Sequence, residues 1–403
     1  ELVSRGQAYY CFCSAERIDK IRQEREAAHS SETGYDRHCR TIPPEEAARR
    51  AAAGEACTIR LKIPLGETTV FNDYLLGDVE WKNDDVNPDP VLLKSDGFPT
   101  YHLANVVDDH LMEISHVLRA QEWLASTPLH VIMYRSFGWE PPRYCHLPMV
   151  MGQDGKKLSK RHGATSIDEF RKQGYLPEAL INYVALLGAS YEEGKDLYTL
   201  RELERMFSPD KLNKAPAIFD YKKLEWFNGQ YIRMKSDEEL AALCLPSATA
   251  AGLFGLSGDA GTEPTAEQKT TFTAAMPLIR ERLTFLHEAA EKLAYLFSEP
   301  ALPAVEEFIP KKSDLDAAIK LLRLGRELVQ PLAAARDDEA AETFIKEQAE
   351  QNAVKLGDLM MPLRVALTGA RVSPPLFGSV RLLGAERSLR RVDSALQLLE
   401  NAQ

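Results

Sequence analysis

The chain has 403 residues, 49 Lys and Arg against 60 Asp and Glu, and a formal charge of −11. This length points to two to four domains, and a 44% hydrophobic fraction excludes global disorder. The acidic total excludes a basic coat for nucleic acid, no apolar run is long enough to span a membrane as a helix, and no signal-peptide pattern opens the chain. Six cysteines in 403 residues are too few for a disulfide scaffold and fit a reducing, cytoplasmic setting.

The chain opens at Glu1 on what reads as the end of one element running into a strand, so further residues are expected upstream. Charged residues 19–28 and alanine-rich residues 47–53 predict helices. Alternation over Cys57–Ile63 predicts a half-buried strand, and Val91–Lys94 predicts another, entering a turn at Ser95-Asp96-Gly97. Residues 100–112 predict a helix that carries Tyr101, Asn105 and Asp108 or Asp109 on one face. A β-branched strand at 114–119 and a helix over 122–137 follow. Helix, strand and helix of this length predict a parallel α/β sheet, with Arg119 at the carboxyl end of a strand, where open sheets bind ligands.

From residue 166 onward the pattern turns helical. Residues 168–173, 177–188 and 200–206 predict short helices, and 246–264 reads as a loop or insertion. Residues 267–298, 312–332 and 337–351 show 3.6-residue periodicity, with Pro277 a candidate kink or break in the first. The organisation is an α/β front half and an all-α back half.

Three clusters carry chemistry. Gly155-Lys156-Lys157-Leu158-Ser159-Lys160-Arg161 is a glycine-edged cationic loop suited to a polyphosphate, although a solvated basic loop has the same composition. It is not a P-loop, which needs four residues between its glycines and Ser or Thr after the lysine. Cys11-x-Cys13 with Cys39 offers soft ligands for tetrahedral zinc, buried reduced thiols being the alternative. His287-Glu288-Ala289-Ala290-Glu291 lacks the second histidine of a zinc-protease helix. Residues 353–392 hold seven cationic and two anionic side chains, a local net charge of +5 in an acidic chain. That arrangement suits docking of one RNA, and a solvated helix face is the other reading of Arg387, Arg390 and Arg391.

Lys157-Leu158-Ser159-Lys160-Arg161 resembles the KMSKS loop of class I aminoacyl-tRNA synthetases. With Pro99–His110, Val117–Trp123, Phe71-Asn72-Asp73, Leu93–Gly97, Lys211–Pro216, Lys223–Asn228 and Pro362–Gly369, nearly the whole chain resembles bacterial-type glutamyl-tRNA synthetase. The resemblance implies the second half of a Rossmann-like class I catalytic fold with an inserted acceptor-binding domain, followed by an all-α region. It divides the chain into an acceptor-stem insertion at 1–99, the catalytic half-domain at 100–135 and a stem-contact region at 136–235 that holds the loop at 157–161. Two helical anticodon-binding subdomains follow, at 236–311 and 312–403. The family's His-x-Gly-His or His-x-Gly-Thr loop is absent and is expected upstream of Glu1, so a polypeptide beginning there is expected to bind tRNA without forming adenylate.

The resemblance assigns Tyr101, Asn105 and Arg119 to glutamate, and Trp123, Met149, Val150 and Lys157 to ATP. Lys157 and Lys160 are the catalytic pair, Mg²⁺ is expected on the phosphates and the sequence names no protein ligand for it, and Arg364, Arg387, Arg390 and Arg391 are the tRNA-binding candidates. Zinc-bearing relatives place Cys-x-His where this chain has Cys39-x-Thr41, so weak or absent zinc is expected. The implied reaction activates L-glutamate with ATP and transfers it to tRNA(Glu), by a cytoplasmic monomer without a membrane. The alternative is a non-catalytic tRNA-binding fragment. A relative that glutamylates a modified tRNA base lacks such helices, and the archaeal and eukaryotic type and the glutaminyl enzymes differ around Asn105.

Overall fold

A computed structural model describes residues 1–29, 34–255 and 261–403. The strands are β1 (Ala8–Cys11), β2 (Thr58–Leu61), β3 (Thr68–Asp73), β4 (Gly77–Lys82), β5 (Val91–Leu93), β6 (His116–Ala120), β7 (Arg143–Leu147), β8 (Val150–Met151) and β9 (Ala217–Ile218). The front helices are α1 (Ala15–Ala27), α2 (Pro44–Ala52), α3 (Tyr101–Leu111) and α4 (Thr127–Phe137). Later in the chain come α5 (Ile167–Lys172), α6 (Pro177–Gly188), α7 (Leu200–Met206), α8 (Tyr221–Arg233), α9 (Asp237–Ala250), α10 (Ala266–Ile279), α11 (Glu288–Phe297), α12 (Leu315–Ala334), α13 (Asp338–Gln351), α14 (Leu356–Thr368), α15 (Leu376–Leu383) and α16 (Ala385–Glu400).

Contacts divide the chain into two units. The first holds residues 1–158, 186–194 and 204–219, and the second holds 159–185, 195–203 and 220–403. In the first unit, β1, β2 and β5 form an antiparallel sheet, and a second sheet runs in the order β4-β3-β7-β6. β6 and β7 are parallel with Arg119 opposite His146, β3 joins β7 in parallel at Asp73 and Tyr144, and β4 closes antiparallel on β3. Thus strands from within residues 1–99 share a sheet with the expected catalytic half. The hairpin β3–β4 has strict alternation, with Thr69, Phe71 and Asp73 buried on one face, yet it is identifiable in the sequence only as the motif Phe71-Asn72-Asp73. Leu61, Ile63, Leu92, Val106 and Met133 build the apolar core under α3 and α4. Each such fully buried side chain contributes roughly 1.5–3 kcal/mol.

The expected helix at 122–137 is two elements, a 3₁₀ segment at Gln121–Ser126 followed by α4. Pro128, in the first turn of α4, has no N–H to continue an earlier helix, so the chain restarts there. The expected loop at 246–264 is helical through Ala250, because α9 carries Pro246 inside it, while residues 256–260 lie outside the described residues. Pro277 likewise sits within α10, and the break falls after it at 280–287. The second unit is helical, with Leu322, Val329, Leu359, Leu363, Val392 and Leu399 fully buried on α12, α14 and α16. Among the described residues, no helix is long and apolar enough to cross a membrane.

Candidate active site

The parallel pair β6/β7 presents Arg119 at its carboxyl end. Arg119 Nε lies 3.1 Å from His146 Nε2, and Nη2 donates to Thr127 Oγ1 at 2.6 Å and to the Trp123 carbonyl at 3.4 Å. Nη1 makes no hydrogen bond among the described residues. Burial pulls the Arg119 guanidinium down from its ordinary value, an effect opposed by Tyr144, Tyr101, Asp109 and Asp73. Its guanidinium carbon stands 5.4 Å from the Tyr144 ring.

Tyr101 begins α3 and is 55% exposed, and its ring lies 5.4 Å from that of Trp123, itself 38% exposed. Asn105, one turn on, donates to Asp109 Oδ2 at 3.3 Å. Burial raises the Asp109 carboxyl, and Arg119 opposes that shift. The face shared by Tyr101, Asn105 and Asp109, expected from helical spacing, therefore converges on Arg119, with aromatic walls open to solvent. Two neutral imidazoles back it. His102 Nδ1 lies 2.9 Å from His130 Nε2, and burial, reinforced by Arg119, lowers both, His130 to about 3. Positive charge is thereby concentrated on one guanidinium. A cavity of about 610 Å³, lined by Phe71, Arg135 and Tyr144 among others, includes none of Tyr101, Asn105, Arg119 and Trp123.

Met149 and Val150 follow β7 and are half-buried. Val150 O accepts from Leu158 N at 3.0 Å, and Gly152 N donates to Lys156 O at 2.8 Å, closing a hairpin over 150–158. Gly155 takes φ +71° in its turn, a conformation that glycine adopts without steric cost. On the return limb, Lys157 Nζ pairs with Glu122 Oε2 at 2.6 Å, directly before Trp123. The motif then crosses into the second unit. There Ser159 caps the short turn Lys160–His162, with the His162 ring reaching back to the Ser159 N–H at 3.0 Å. Gly163, at φ +131°, has no room for a side chain, since an added Cβ would lie 2.9 Å from Tyr221.

A second cluster lies at the end of β1. The sulfurs of Cys11, Cys13 and Cys39 lie within 4.8 Å of one another, Cys13 and Cys39 at 3.5 Å. Tyr35 Oη lies 3.3 Å from Cys11 Sγ and 3.5 Å from Cys13 Sγ, and it accepts from the Cys39 N–H at 2.9 Å. Zinc–sulfur bonds near 2.3 Å in a tetrahedron place sulfurs about 3.8 Å apart, so the donor set fits. The further polar group beside the thiols is Tyr35 rather than Thr41; it lies four residues before Cys39, buried under the Arg60 guanidinium at 3.8 Å. His38, although adjacent in sequence, is exposed.

The C-terminal arginines require a correction. Arg391 is 4% exposed, and its guanidinium bonds to the carbonyls of Tyr295, Ser298 and Leu367 and to Glu299. Arg387 donates to the carbonyls of Leu296 and Ser298 and to Glu299. Together they satisfy the orphan carbonyls at the end of α11, a stabilising place for cations at a helix C-terminus. Arg364 bonds inward to Ser373 Oγ and the Pro374 carbonyl. In this fold all three guanidiniums are tied to neighbouring carbonyls or side chains. Only Arg390 is largely exposed, paired with Glu386 one turn earlier.

An open sheet with a cation and aromatic walls at its carboxyl end, followed by a lysine hairpin, suits an enzyme that holds anionic substrates there. Residues 1–226 match the family described as tRNA synthetases class I (E and Q), catalytic domain, and residues 239–396 match the Anticodon binding domain. The glutamate–tRNA ligase of Treponema denticola is 55% identical over 409 residues, covering 98% of this chain and 80% of the relative, and that of Borreliella burgdorferi is 44% identical over 99% and 80%. A crystal structure of a glutamate tRNA ligase from Elizabethkingia meningosepticum in complex with its amino acid superposes with TM-score 0.78 at 31% identity, over 99% of this chain and 81% of that one. The chain belongs to the class I tRNA synthetases, among their glutamate–tRNA ligases.

Proposed function

We propose that this chain supplies most of a glutamate–tRNA ligase that activates L-glutamate with ATP and transfers it to the 3′ end of tRNA(Glu). The observation that carries the reading is Arg119, anchored through Nε and Nη2 with Nη1 free of hydrogen bonds among the described residues, at a strand end where Tyr101 and Trp123 stand partly exposed. A guanidinium held in this way orients a carboxylate by charge-assisted hydrogen bonds. Tyr101 and Asn105 complete the glutamate contacts, and Asp109 suits the substrate ammonium.

Trp123 and the backbone of Met149 and Val150 receive the adenosine. Lys157 leaves Glu122 for the phosphates, where Lys160 joins it to stabilise charge growing on the departing pyrophosphate. Mg²⁺ would be carried by the phosphates and would neutralise their charge. No side-chain nucleophile is needed, since the substrate carboxylate attacks the α-phosphate and holding it in line supplies much of the rate. Residues 1–99 serve the acceptor stem, and 236–403 serve the anticodon. The set Cys11, Cys13, Cys39 and Tyr35 would hold structural zinc, tying β1 to the turn at His38–Thr41. The enzyme works as a cytoplasmic monomer, in keeping with cysteines that are all free.

The test is steady-state aminoacylation by the full-length enzyme. Arg119→Leu raises the glutamate KM roughly 10–100-fold, the range for a lost hydrogen bond to a charged group, and leaves the ATP KM nearly unchanged. Arg119→Lys rescues in part, because an ammonium lacks the planar fork. A normal glutamate KM in Arg119→Leu would remove Arg119 from the pocket.

A further inference from the structure

We infer that Asp73 and His146 are positioning residues that set the orientation of the Arg119 guanidinium and, with Thr127, the selectivity for a carboxylate over an amide. The inference rests on the reading of Arg119 as the glutamate-binding cation. Asp73, His146 and Arg119 lie on three neighbouring strands, β3, β7 and β6, with Arg119 directly opposite His146 and Asp73 opposite Tyr144, two residues before His146. His146 is fully buried, Asp73 is 1% exposed and Thr127 is fully buried.

The hydrogen-bond directions follow from Asp73. Burial pushes its carboxyl up, but the His146 ring and the N–H groups of Leu76 and Leu75 outweigh that and hold it below the ordinary range, so it is a carboxylate and can only accept. His146 Nδ1, at 2.6 Å from Asp73 Oδ2, therefore carries the proton. The His146 backbone N–H also donates to this oxygen, at 3.1 Å, which fixes the strand as well as the ring. In a neutral imidazole with its proton on Nδ1, Nε2 is an acceptor, and it faces the Arg119 Nε–H at 3.1 Å. The other tautomer would set N–H against N–H. The acid thus selects the tautomer, and the tautomer selects the direction of the guanidinium.

Thr127 completes the device. Its hydroxyl lies 2.6 Å from Arg119 Nη2, 3.0 Å from His146 Nε2 and 3.2 Å from the Trp123 carbonyl. Two edges of the guanidinium are thereby taken, and Nη1 alone keeps both hydrogens for ligand. A guanidinium free to rotate would meet a carboxylate or an amide oxygen with other donors. One held in place presents fixed donors that an amide NH₂ cannot accept.

The experiment compares His146→Gln with His146→Asn in the full-length enzyme, with Arg119→Leu as reference. Gln places an oxygen near the position of Nε2, so it can still accept from Arg119. Asn keeps a donor toward Asp73 but has nothing at the Nε2 position. The expected result is a glutamate KM raised about 10-fold or more in His146→Asn, as for a lost bond to a charged group, and only about 3-fold in His146→Gln. Preference for glutamate over glutamine falls in the same order. The ATP KM stays unchanged in both, and melting temperatures fall alike. Equal glutamate KM values for Asn and Gln, or parallel rises in the KM of glutamate and ATP, would overturn the inference. Thr127→Val, isosteric and lacking only the hydroxyl, is the second variant should His146→Asn not fold. A several-fold rise in its glutamate KM at near-native stability supports the device, and an unchanged KM overturns it. An Arg119→Leu enzyme with normal glutamate KM would instead bring down the underlying reading of Arg119.

Discussion

Arg119 in the first unit, half-buried, and Arg391 in the second, buried, are both guanidiniums with several hydrogen bonds, yet the two are arranged to opposite ends. Arg391 spends every nitrogen on carbonyls and on Glu299, closing the end of α11. Arg119 is held through two nitrogens by side chains and keeps the third, beside aromatic rings exposed to solvent. The same contrast separates the Cys11, Cys13 and Cys39 cluster, which gathers three thiols at one point, from Arg387, whose three nitrogens all bond to Glu299 and to helix-end carbonyls. A cation's role is therefore read from the N–H groups that its own fold leaves over, and a local excess of arginines says little by itself.

The sharpest way to break this contrast is to remove what the first unit is arranged to hold. If the thiols and Tyr35 are a metal site, chelator-washed enzyme carries one equivalent of zinc by elemental analysis. Cys39→Ser loses that zinc together with several kcal/mol of local stability, since metal binding and folding are coupled in such sites. Metal-free protein with an unchanged melting curve would return the cluster to reduced thiols. Next in size is Lys157→Ala. It should cost about 2–4 kcal/mol of transition-state stabilisation in the pre-steady-state activation rate, with glutamate binding little altered.

Arg391→Ala tests the opposite side of the comparison. It leaves several helix-end carbonyls and Glu299 without their donor, and a loss of roughly 3 kcal/mol is expected in chemical denaturation, with activity per folded molecule near normal. Arg390→Ala, exposed and paired only with Glu386, should stay within about 0.5 kcal/mol. Equal effects for the two would erase the distinction between framework and surface.

The last effect appears only in acid. The His130 imidazole titrates near 3 in the folded chain, below its ordinary 6.5. Unfolding therefore takes up a proton between these values, and the stability it contributes is complete above about 6.5 and lost progressively as pH falls toward about 3. His130→Gln, which can still bond His102, should flatten the acid limb of a pH–stability curve. An unchanged limb would place the acid sensitivity elsewhere.

Much of the site is legible along the chain because it is local. Tyr101, Asn105 and Asp109 share a helix face by spacing alone, and the lysine loop is one contiguous segment. The helix expected at 122–137 is wrong at its start, where Pro128 forces a restart, and the loop expected at 246–264 overlooks a helix that carries its proline inside. Tyr35 escapes a search for histidine and cysteine spacing, because a phenol is not a usual ligand type. His146 and Thr127 leave no sequence signal, and Asp73 shows only as the end of a short motif.

By itself the sequence determined the family, the α/β-then-α order and the candidate groups proposed to meet glutamate and ATP, since periodicity and contiguous motifs depend on neighbours within a few residues. Only the tertiary structure decided which donors remain available. Asp73 meets His146 across 73 residues, Arg119 meets His146 across 27, and Arg391 meets Glu299 across 92. A hydrogen-bonding group is free or committed according to what packing places within about 3 Å of it, and no pattern along the chain encodes that distance.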